Sequence, residues 1–313
     1  MSILYLFYFA YFANCDGGVN LTNFACKYTI NAVIHIFSEL RHMKFQIKHF
    51  SLPQNRAVLA RVLSSSRDVI KIHHVTQALG ISRADGAKRL ARWVEQGWLH
   101  RVGRGVYVPV ALDTLGSEQI LDDPWVLIPS LYEPAYIAGR TAAEYWDLTE
   151  QIFKDLVVIT GQPIRQKRQV RHGTHIVLKH FDEKKIFGTK PVWRHHTKVL
   201  ISDVHRTVID MLDDPAIGGG IQHVADCLNT YLKRSDRADH KLIEYAERLG
   251  NRAVFKRLGF LVERHASGTR LATLCQARMS SGLAKLDPSV SSPRINSKWK
   301  LRIPDTWAKD PTR

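Results

Sequence analysis

Apolar residues recur at helical spacing in two short segments of this chain, and an apolar ribbon with a basic tip follows the second segment. A tight turn at residues 80–82 separates the first segment, 72–79, from the second, 83–96. The apolar positions of the second segment lie three or four residues apart, which predicts a helix with one face on a core. These positions are Ala87, Leu90, Ala91 and Val94. The order of helix, tight turn, helix and ribbon is typical of a winged helix-turn-helix.

Local signals delimit the second helix and the ribbon. Ser82 is expected to cap the helix through its hydroxyl, with Asp85 three residues later as in a capping box. Gly97 is expected to end the helix in a left-handed conformation. Residues 98–108 alternate in polarity around a glycine-containing turn, which predicts a two-stranded wing. A basic amphipathic helix followed by an ordinary hairpin is the plainer alternative.

The cations of this part of the chain favour a DNA-binding function. Residues 43–110 hold 12 Lys and Arg against three Asp and Glu, in a chain of formal net charge +16. Such a balance attracts polyanions, and on a helix-turn-helix it favours duplex DNA. The candidate DNA-facing residues are Ser82, Arg83, Lys88, Arg89 and Arg92 on the helix, with Arg101 and Arg104 on the wing.

The first 42 residues do not fit this plan. Residues 2–13 are apolar and aromatic, but they are shorter than the roughly 20 residues of a spanning helix and lack the basic start of a signal peptide. Met43 opens a basic segment just before the first predicted helix, Gln54–Leu63. We therefore expect residues 1–42 to be a non-native or disordered extension, with a membrane-anchored regulator as the alternative.

A larger α+β domain is expected over residues 111–276, after a short connecting helix at 111–123. Buried strands are predicted at Asp155–Thr160, Thr174–Lys179 and Lys198–Ile201. Helices are predicted at Ile137–Trp146, Val204–Leu212, Ile221–Lys233, Lys241–Leu249 and Arg252–Val262. Residues 277–313 are expected to be an extended tail, in which 299–303 alternate as a late strand. The fold class is thus α+β, with the winged helix-turn-helix of residues 43–110 preceding the larger α+β domain.

A basic segment separates the first two predicted strands. Its cations are Arg165, Lys167, Arg168 and Arg171. A hairpin-like loop of this composition could hold backbone phosphates of DNA or RNA, or help to neutralise a toxin. A solvated loop without function is an equal alternative.

The sequence gives little support to catalysis or metal binding. The best candidate cluster is acidic and consists of Asp203, Asp210, Asp213 and Asp214. Three of these carboxylates share a helical face and could hold magnesium, but capping by Asp203 and pairing of Asp210 with Arg206 explain them structurally. The four cysteines are far apart and are typical of free thiols in a reducing cytoplasm. Because no P-loop, zinc-protease or nucleophile-elbow motif is present, we expect no enzyme, no metal and no cofactor.

Several longer segments together resemble one protein family, the AbiEi antitoxins of type IV, or abortive-infection, toxin–antitoxin systems. The segments are RVGRGVYVP at 101–109, TEQIFKDLVVIT at 149–160, KIFG at 185–188, ISDVHRTVIDMLDDP at 201–215 with the glycines at 218–220, EYAERLGNRAVFKRLGFLVE at 244–263, LDP at 286–288 and WKL at 299–301. The resemblance covers about 250 residues and leaves out residues 1–42.

This resemblance implies a cytoplasmic transcriptional autorepressor rather than an enzyme. Its winged helix would bind inverted repeats in its own promoter. Its second domain would contribute to repression and to countering a nucleotidyltransferase-like toxin, without a stable complex between the two proteins. The alternative is an RNA- or toxin-binding module without operator specificity.

Overall fold

The computed structural model describes residues 54–66, 68–110, 123–265 and 270–308. The extension predicted for residues 1–42 and most of the connecting helix predicted at 111–123 lie outside these residues. The described residues from Asn55 onward form one structural unit. Within the described part of the chain, no helix has the length and apolar character needed to cross a bilayer.

The N-terminal module contains three helices and a small antiparallel sheet. Its elements are α1 (Gln54–Ser66), β1 (Ile70–Lys71), α2 (Ile72–Leu79), α3 (Arg83–Glu95), β2 (Leu99–Gly103) and β3 (Val106–Pro109). The strand order is β1-β3-β2. This is the arrangement of helices and ribbon that the sequence predicts for a winged helix-turn-helix.

The predicted helix ends are confirmed by their geometry. Gly80, at φ 64°, ends α2, and its N–H donates to the Thr76 carbonyl at 2.9 Å. Ser82 caps α3, since its Oγ accepts a hydrogen bond from the Asp85 N–H at 3.1 Å. Gly97 takes a φ of 71°, which lets the chain turn from α3 into the wing.

The buried face of α3 differs from the predicted one. The residues that this helix buries are Gly86, Leu90 and Trp93, whereas Ala87 and Ala91 are exposed. Trp93 is 1% exposed and carries far more apolar surface than an alanine, so its burial contributes more free energy and determines how the helix turns. The alanines therefore face solvent.

The larger domain is built on a six-stranded mixed sheet with helices on both faces. Its strands are β4 (Ala135–Ile137), β5 (Asp155–Thr160), β6 (Arg168–Arg171), β7 (Thr174–His180), β8 (Thr189–Arg194) and β9 (Thr197–Ser202), in the order β6-β7-β5-β4-β9-β8. Its helices are α4 (Ile128–Tyr132), α5 (Gly139–Tyr145), α6 (Val204–Asp213), α7 (Ile221–Leu232), α8 (Asp239–Leu249), α9 (Ala253–His265) and α10 (Arg270–Gln276). The predicted strand Asp155–Thr160 is confirmed in full, and the α+β class is confirmed.

The helix predicted at Ile137–Trp146 is wrong in its first part. Residues 135–137 form a strand, and α5 begins only at Gly139, whose φ is 56°. A Cβ at Gly139 would lie 2.5 Å from the Ile217 carbonyl oxygen, so the backbones approach closely at this point. This contact between distant segments ends the strand, and helical spacing along the chain does not reveal it.

The basic segment 165–171 is also more ordered than predicted. Its residues 168–171 form the edge strand β6, which pairs antiparallel with β7, while β5 and β7 are parallel. Arg168 lies opposite Val177, and Gln169 lies opposite Ile176. Because neighbouring side chains of a strand point to opposite faces, the segment divides its cations between the two faces of the sheet.

The C-terminal segment packs onto the helical layer where an extended tail was predicted. Strands β10 (Ala284–Lys285), β11 (Arg294–Asn296) and β12 (Leu301–Ile303) form a separate three-stranded sheet in the order β10-β12-β11. Trp299 is 1% exposed, and its indole N–H donates to Glu263 Oε2 at 2.7 Å. A Cβ at Gly259 would lie 2.0 Å from the Trp299 ring, so the indole packs directly on the helix backbone.

The wing packs against the larger domain. Val102, Val106 and Val108 of the ribbon share a buried cluster with Val126 and Leu127, which precede α4. A Cβ at Gly103 would lie 2.5 Å from Leu131 Cδ2 of α4. One face of the wing is therefore occupied by the second domain.

Gly259→Ala is expected to lower the free energy of unfolding by about 1–3 kcal/mol, because the added methyl group overpacks the Trp299 site. In a helix where nothing obstructs the added methyl group, a glycine-to-alanine substitution raises the free energy of unfolding by up to about 1 kcal/mol. The change expected for Gly259→Ala therefore has the opposite sign. Urea unfolding followed by tryptophan fluorescence measures the change. Gly282→Ala is the control, since a Cβ there meets nothing within 4 Å. A stabilised Gly259→Ala variant would contradict the packing.

Candidate nucleic-acid interface

The exposed face of α3 combines small side chains with cations. Ala84, Ala87 and Ala91 lie exposed along it, together with Lys88 and Arg92. Methyl side chains let the helix backbone come close to base edges, while long cationic side chains reach outward to phosphates. The three alanines were not predicted as part of the interface, and Ala87 and Ala91 were assigned to the core because of their apolar character.

The cations of this helix remain accessible, although its first turn is capped by its own residues. Ser82 Oγ donates to Asp85 Oδ2 at 2.7 Å and accepts from the Asp85 N–H, so the first turn is closed locally. Lys88 lies 4.0 Å from Asp85, with its side chain 80% exposed, and such an exposed pair contributes little to stability. Arg83 is exposed and Arg89 is half-buried, so every predicted cation of the helix can still contact solvent.

The wing ends in a two-residue turn with a cation at its tip. Arg104 and Gly105 connect strands paired at Gly103 and Val106, and Gly105 has a φ of 72°. Arg104 is exposed, and Arg101 is exposed as well, with its Nε–H donating to the Gly103 carbonyl at 3.2 Å. The tip cation is therefore available to a groove or a phosphate.

The β6–β7 hairpin of the second domain lies beside the wing. The ring of His100 on β2 contacts the ring of His172 in the hairpin turn, with centroids 4.5 Å apart. Burial, with the nearby His100 and Arg171, lowers the pKa of His172. Arg171 donates to Gln169 Oε1 at 3.1 Å on the same face of the sheet as α4. This hairpin therefore extends the cationic surface of the wing through Arg171.

The other three cations of the predicted second patch lie elsewhere. Arg165, Lys167 and Arg168 line a cavity that Arg171 does not line. The structure thus brings one predicted residue of this patch to the wing and separates the remaining three from it. For Arg168 the physical reason is strand alternation, which could be applied only once β6 was known to be a strand, whereas Arg165 and Lys167 lie in the segment before β6.

The acidic set that the sequence singled out is engaged in structural contacts. Asp203 caps α6 by accepting from the Arg206 N–H at 2.8 Å, as predicted. Asp210 pairs with Arg206 at 2.8 Å, also as predicted. Lys179 lies 2.5 Å from Asp213 and 3.3 Å from Asp214. In the part of the chain that the structure describes, no group of three or more His, Cys, Asp or Glu is placed to hold a metal ion.

The Arg206–Asp210 pair belongs to a buried network that the sequence did not reveal. Both side chains are 0% exposed. Tyr136 donates to Asp210 Oδ2 at 3.1 Å, and Phe187 lies between the guanidinium groups of Arg206 and Arg248, at 4.0 and 3.9 Å from its ring centroid. Burial raises the pKa of the Asp210 carboxyl, and the charge of Arg206 opposes that shift.

The two described cysteines, Cys227 and Cys275, are free and buried. Burial raises the pKa of each thiol to about 12, so neither is a thiolate at neutral pH. Their predicted status as free thiols is confirmed.

Comparison with known proteins identifies the N-terminal module. Residues 58–110 match the family model described as a transcriptional regulator, AbiEi antitoxin. The AbiEi resemblance inferred from the sequence is confirmed over residues 58–110, and the segments beyond residue 110 that also suggested it lie outside this match. No curated protein matches the chain significantly.

Among solved structures, the chain is similar to the RV2827C protein from Mycobacterium tuberculosis. The TM-score is 0.54 at 14% identity, and the match covers 80% of this chain and 91% of that chain. At this identity the likeness concerns the fold alone.

Asp210→Asn is expected to lower the free energy of unfolding by about 3–5 kcal/mol, because it leaves Arg206 as a buried charge without its partner. Urea unfolding monitored by circular dichroism measures the loss. Asp226→Asn serves as the control, since Asp226 is exposed and its carboxylate accepts a weak hydrogen bond from Gln222 at 3.3 Å. Equal stability of the two variants would show that the buried pair is dispensable.

Proposed function

We propose that this chain, whose winged-helix module matches the AbiEi antitoxin regulators, binds inverted repeats in its own promoter and represses it. The antitoxin and regulator role follows from the family match over residues 58–110. The promoter sequence that the chain binds and the toxin that it counters are proposed here in addition to that role. The toxin is a nucleotidyltransferase-like protein that the chain counters without forming a stable complex. We propose no catalytic role and no cofactor.

The exposed face of α3 carries the DNA-binding part of this proposal. Three of the exposed side chains on this face are alanines, so the helix is narrow there. A major groove is wide enough to admit an α-helix. Arg83, Lys88 and Arg92 border the alanines and suit phosphate contacts, which position a protein on the duplex. Arg89 lies half-buried on the same helix.

The attachment of the wing supports a single continuous interface. The ribbon packs on the second domain through Val102, Val106 and Val108, and Asp68 accepts hydrogen bonds from the His196 N–H at 2.9 Å and the Thr197 hydroxyl at 2.8 Å. These contacts orient α3 and Arg104 relative to the β6–β7 hairpin. The second domain would then add Arg171 to the phosphate contacts of the wing.

The rival function is an RNA- or toxin-binding module without operator specificity. The cations of the second domain favour it, since phosphates of RNA attract them equally. The two functions differ in one measurable respect. Operator binding depends on the inverted repeat and on α3, whereas the rival function depends on neither.

Arg89→Ala and Arg104→Ala are each expected to weaken binding to the upstream promoter about tenfold, as for loss of a base or phosphate contact of 1–3 kcal/mol. Removal of a phosphate contact should also reduce the salt slope by about 0.9. Fluorescence anisotropy with the intact repeat and with one scrambled half-site measures both effects. Arg302→Ala, an exposed cation on β12, is the control. If both wing and helix variants bind as tightly as the parent, α3 is not the recognition surface.

Co-expression is expected to separate neutralisation from repression. With the neighbouring toxin gene under an unrelated promoter, the parent chain should restore growth, and the Arg89→Ala/Arg104→Ala double variant should restore it equally. The reason is that both substitutions lie in the N-terminal module and leave the second domain unchanged. Colony counts and affinity purification of the tagged chain provide the readouts. Failure of the parent to restore growth, or recovery of a stoichiometric complex, would contradict the type IV scheme.

A further inference from the structure

A basic cavity lies between the segment before β6, strand β7 and the loop that follows α6. Its volume is about 690 Å³. The cations that line it are Arg140, Arg165, Lys167, Arg168 and Lys179, and Asp214 is the single carboxylate among the lining residues. The DNA-binding proposal makes no use of this cavity.

Three of these cations lack a counter-charge. Lys179 is neutralised by Asp213 and Asp214, and Arg140 is paired with Asp155 at 2.7 Å. Arg165, Lys167 and Arg168 form no ion pair with any residue that the structure describes. Three uncompensated positive charges on one concave surface create a field that concentrates anions.

The inner wall of the cavity is firmly built. Gly139, at φ 56°, allows the Arg140 N–H to donate to the Ile217 carbonyl at 3.0 Å. The Arg140 side chain is 11% exposed and its guanidinium lies 5.2 Å from the Phe153 ring centroid. Its Nε–H is buried and has no hydrogen-bond partner among the described residues. The ion pair with Asp155 and the contact with Phe153 hold this guanidinium in the wall of the cavity.

The lining also has an apolar part, contributed by Ile164, Val177 and Ile217. The volume of the cavity lies within the range of about 300–1,000 Å³ that is typical of small-molecule sites. Such sites typically combine an apolar wall with a few polar groups. A ligand that matches the cavity has an anionic end for the cations and a ring system for the apolar wall. A nucleotide meets both conditions.

We propose that this cavity binds a phosphorylated ligand of mononucleotide size, in free form. Arg165, Lys167 and Arg168 hold its phosphates, and Arg140 forms part of the wall. The same phosphate chemistry could come from the backbone of a nucleic-acid strand, and the experiment below distinguishes the two sources. The proposal does not rest on promoter binding, because Arg165, Lys167 and Arg168 line a cavity that Arg171, the cation of this segment beside the wing, does not line.

Isothermal titration calorimetry of the full chain at low salt, with ATP, GTP, CTP and UTP as separate probes and pyrophosphate as a probe without a base, tests the proposal. At least one nucleotide should bind more tightly than pyrophosphate. Lys167→Ala and Arg168→Ala should each weaken it about tenfold, as for loss of a charge-assisted hydrogen bond. Both side chains are exposed, so the variants are expected to fold. Lys233→Ala, an exposed cation of another surface, should leave the affinity unchanged.

A second set of titrations identifies the source of the phosphate. A short single-stranded oligonucleotide and the promoter duplex are titrated into the parent chain and the same three variants. Tighter binding of the strand than of any nucleotide, lost in Lys167→Ala and Arg168→Ala, would overturn the proposal in favour of a nucleic-acid backbone. Absence of nucleotide binding, or binding that both substitutions leave unchanged, would also overturn it. Neither result would affect the proposal that the chain binds its promoter, which is tested by the sensitivity of that binding to Arg89→Ala and Arg104→Ala. The two proposals can therefore fail separately.

Discussion

The fully buried ion pair of Arg206 and Asp210 constrains how the larger domain can be assembled. Removing two charges from water costs several kcal/mol per ion, and the cost is offset only when geometry and additional hydrogen bonds are favourable. The pair meets most of this condition with an Nε–Oδ1 distance of 2.8 Å, a Tyr136 hydroxyl bound to both partners and the Lys185 carbonyl accepting from Arg206. Arg206 Nη1 is buried without a hydrogen-bond partner among the described residues. These groups come from a strand, a helix and the segment before β8. All three must therefore be in place together, and helix α6 is buried along Val204–Leu212 as a result.

This network also connects the helical layer to the sheet. Phe187 lies between the guanidinium groups of Arg206 and Arg248, so α6 and α8 share one aromatic ring. Tyr245 of α8 donates to Asp203 at 2.8 Å, the residue that caps α6. On the opposite face the sheet packs on α4, and α4 receives the wing through Leu131. The buried pair and the N-terminal module are thus related through one continuous series of packed elements.

The wing therefore has two different surfaces, and this difference matters for the proposed function. Its inner face is buried against the second domain, while its tip, with Arg104, is exposed. A wing held in this way presents its cation at a defined position relative to α3 and Arg171, which reduces the ordering cost of binding. The separation of Arg168 from Arg171 by strand alternation places Arg168 at a second cationic concavity, where we propose that a different ligand binds.

The sequence by itself determined the features that depend on neighbours along the chain. The turn at Gly80, the cap at Ser82, the strand Asp155–Thr160 and the cap at Asp203 follow from residue types within one turn or one strand. Asp203 and Asp210 were interpreted correctly for the same reason, since the cap by Asp203 and the pairing of Asp210 with Arg206 are local, whereas the ion pairs of Asp213 and Asp214 with Lys179 were not predicted. The family resemblance likewise rested on contiguous segments.

Tertiary structure alone decided the features that depend on distant partners. Trp93 rather than the alanines determines the buried face of α3, because burial energy scales with apolar area and the core accepts the larger ring. Helix α5 begins only at Gly139 because the Ile217 carbonyl lies against that residue. Gly259 leaves room for the ring of Trp299, which lies forty residues further along the chain. The cavity around Arg168 exists because β6 pairs with β7 and turns its cations to opposite faces. Contacts of this kind join residues whose separation along the chain carries no periodic signal, so no pattern of apolar positions could have predicted them.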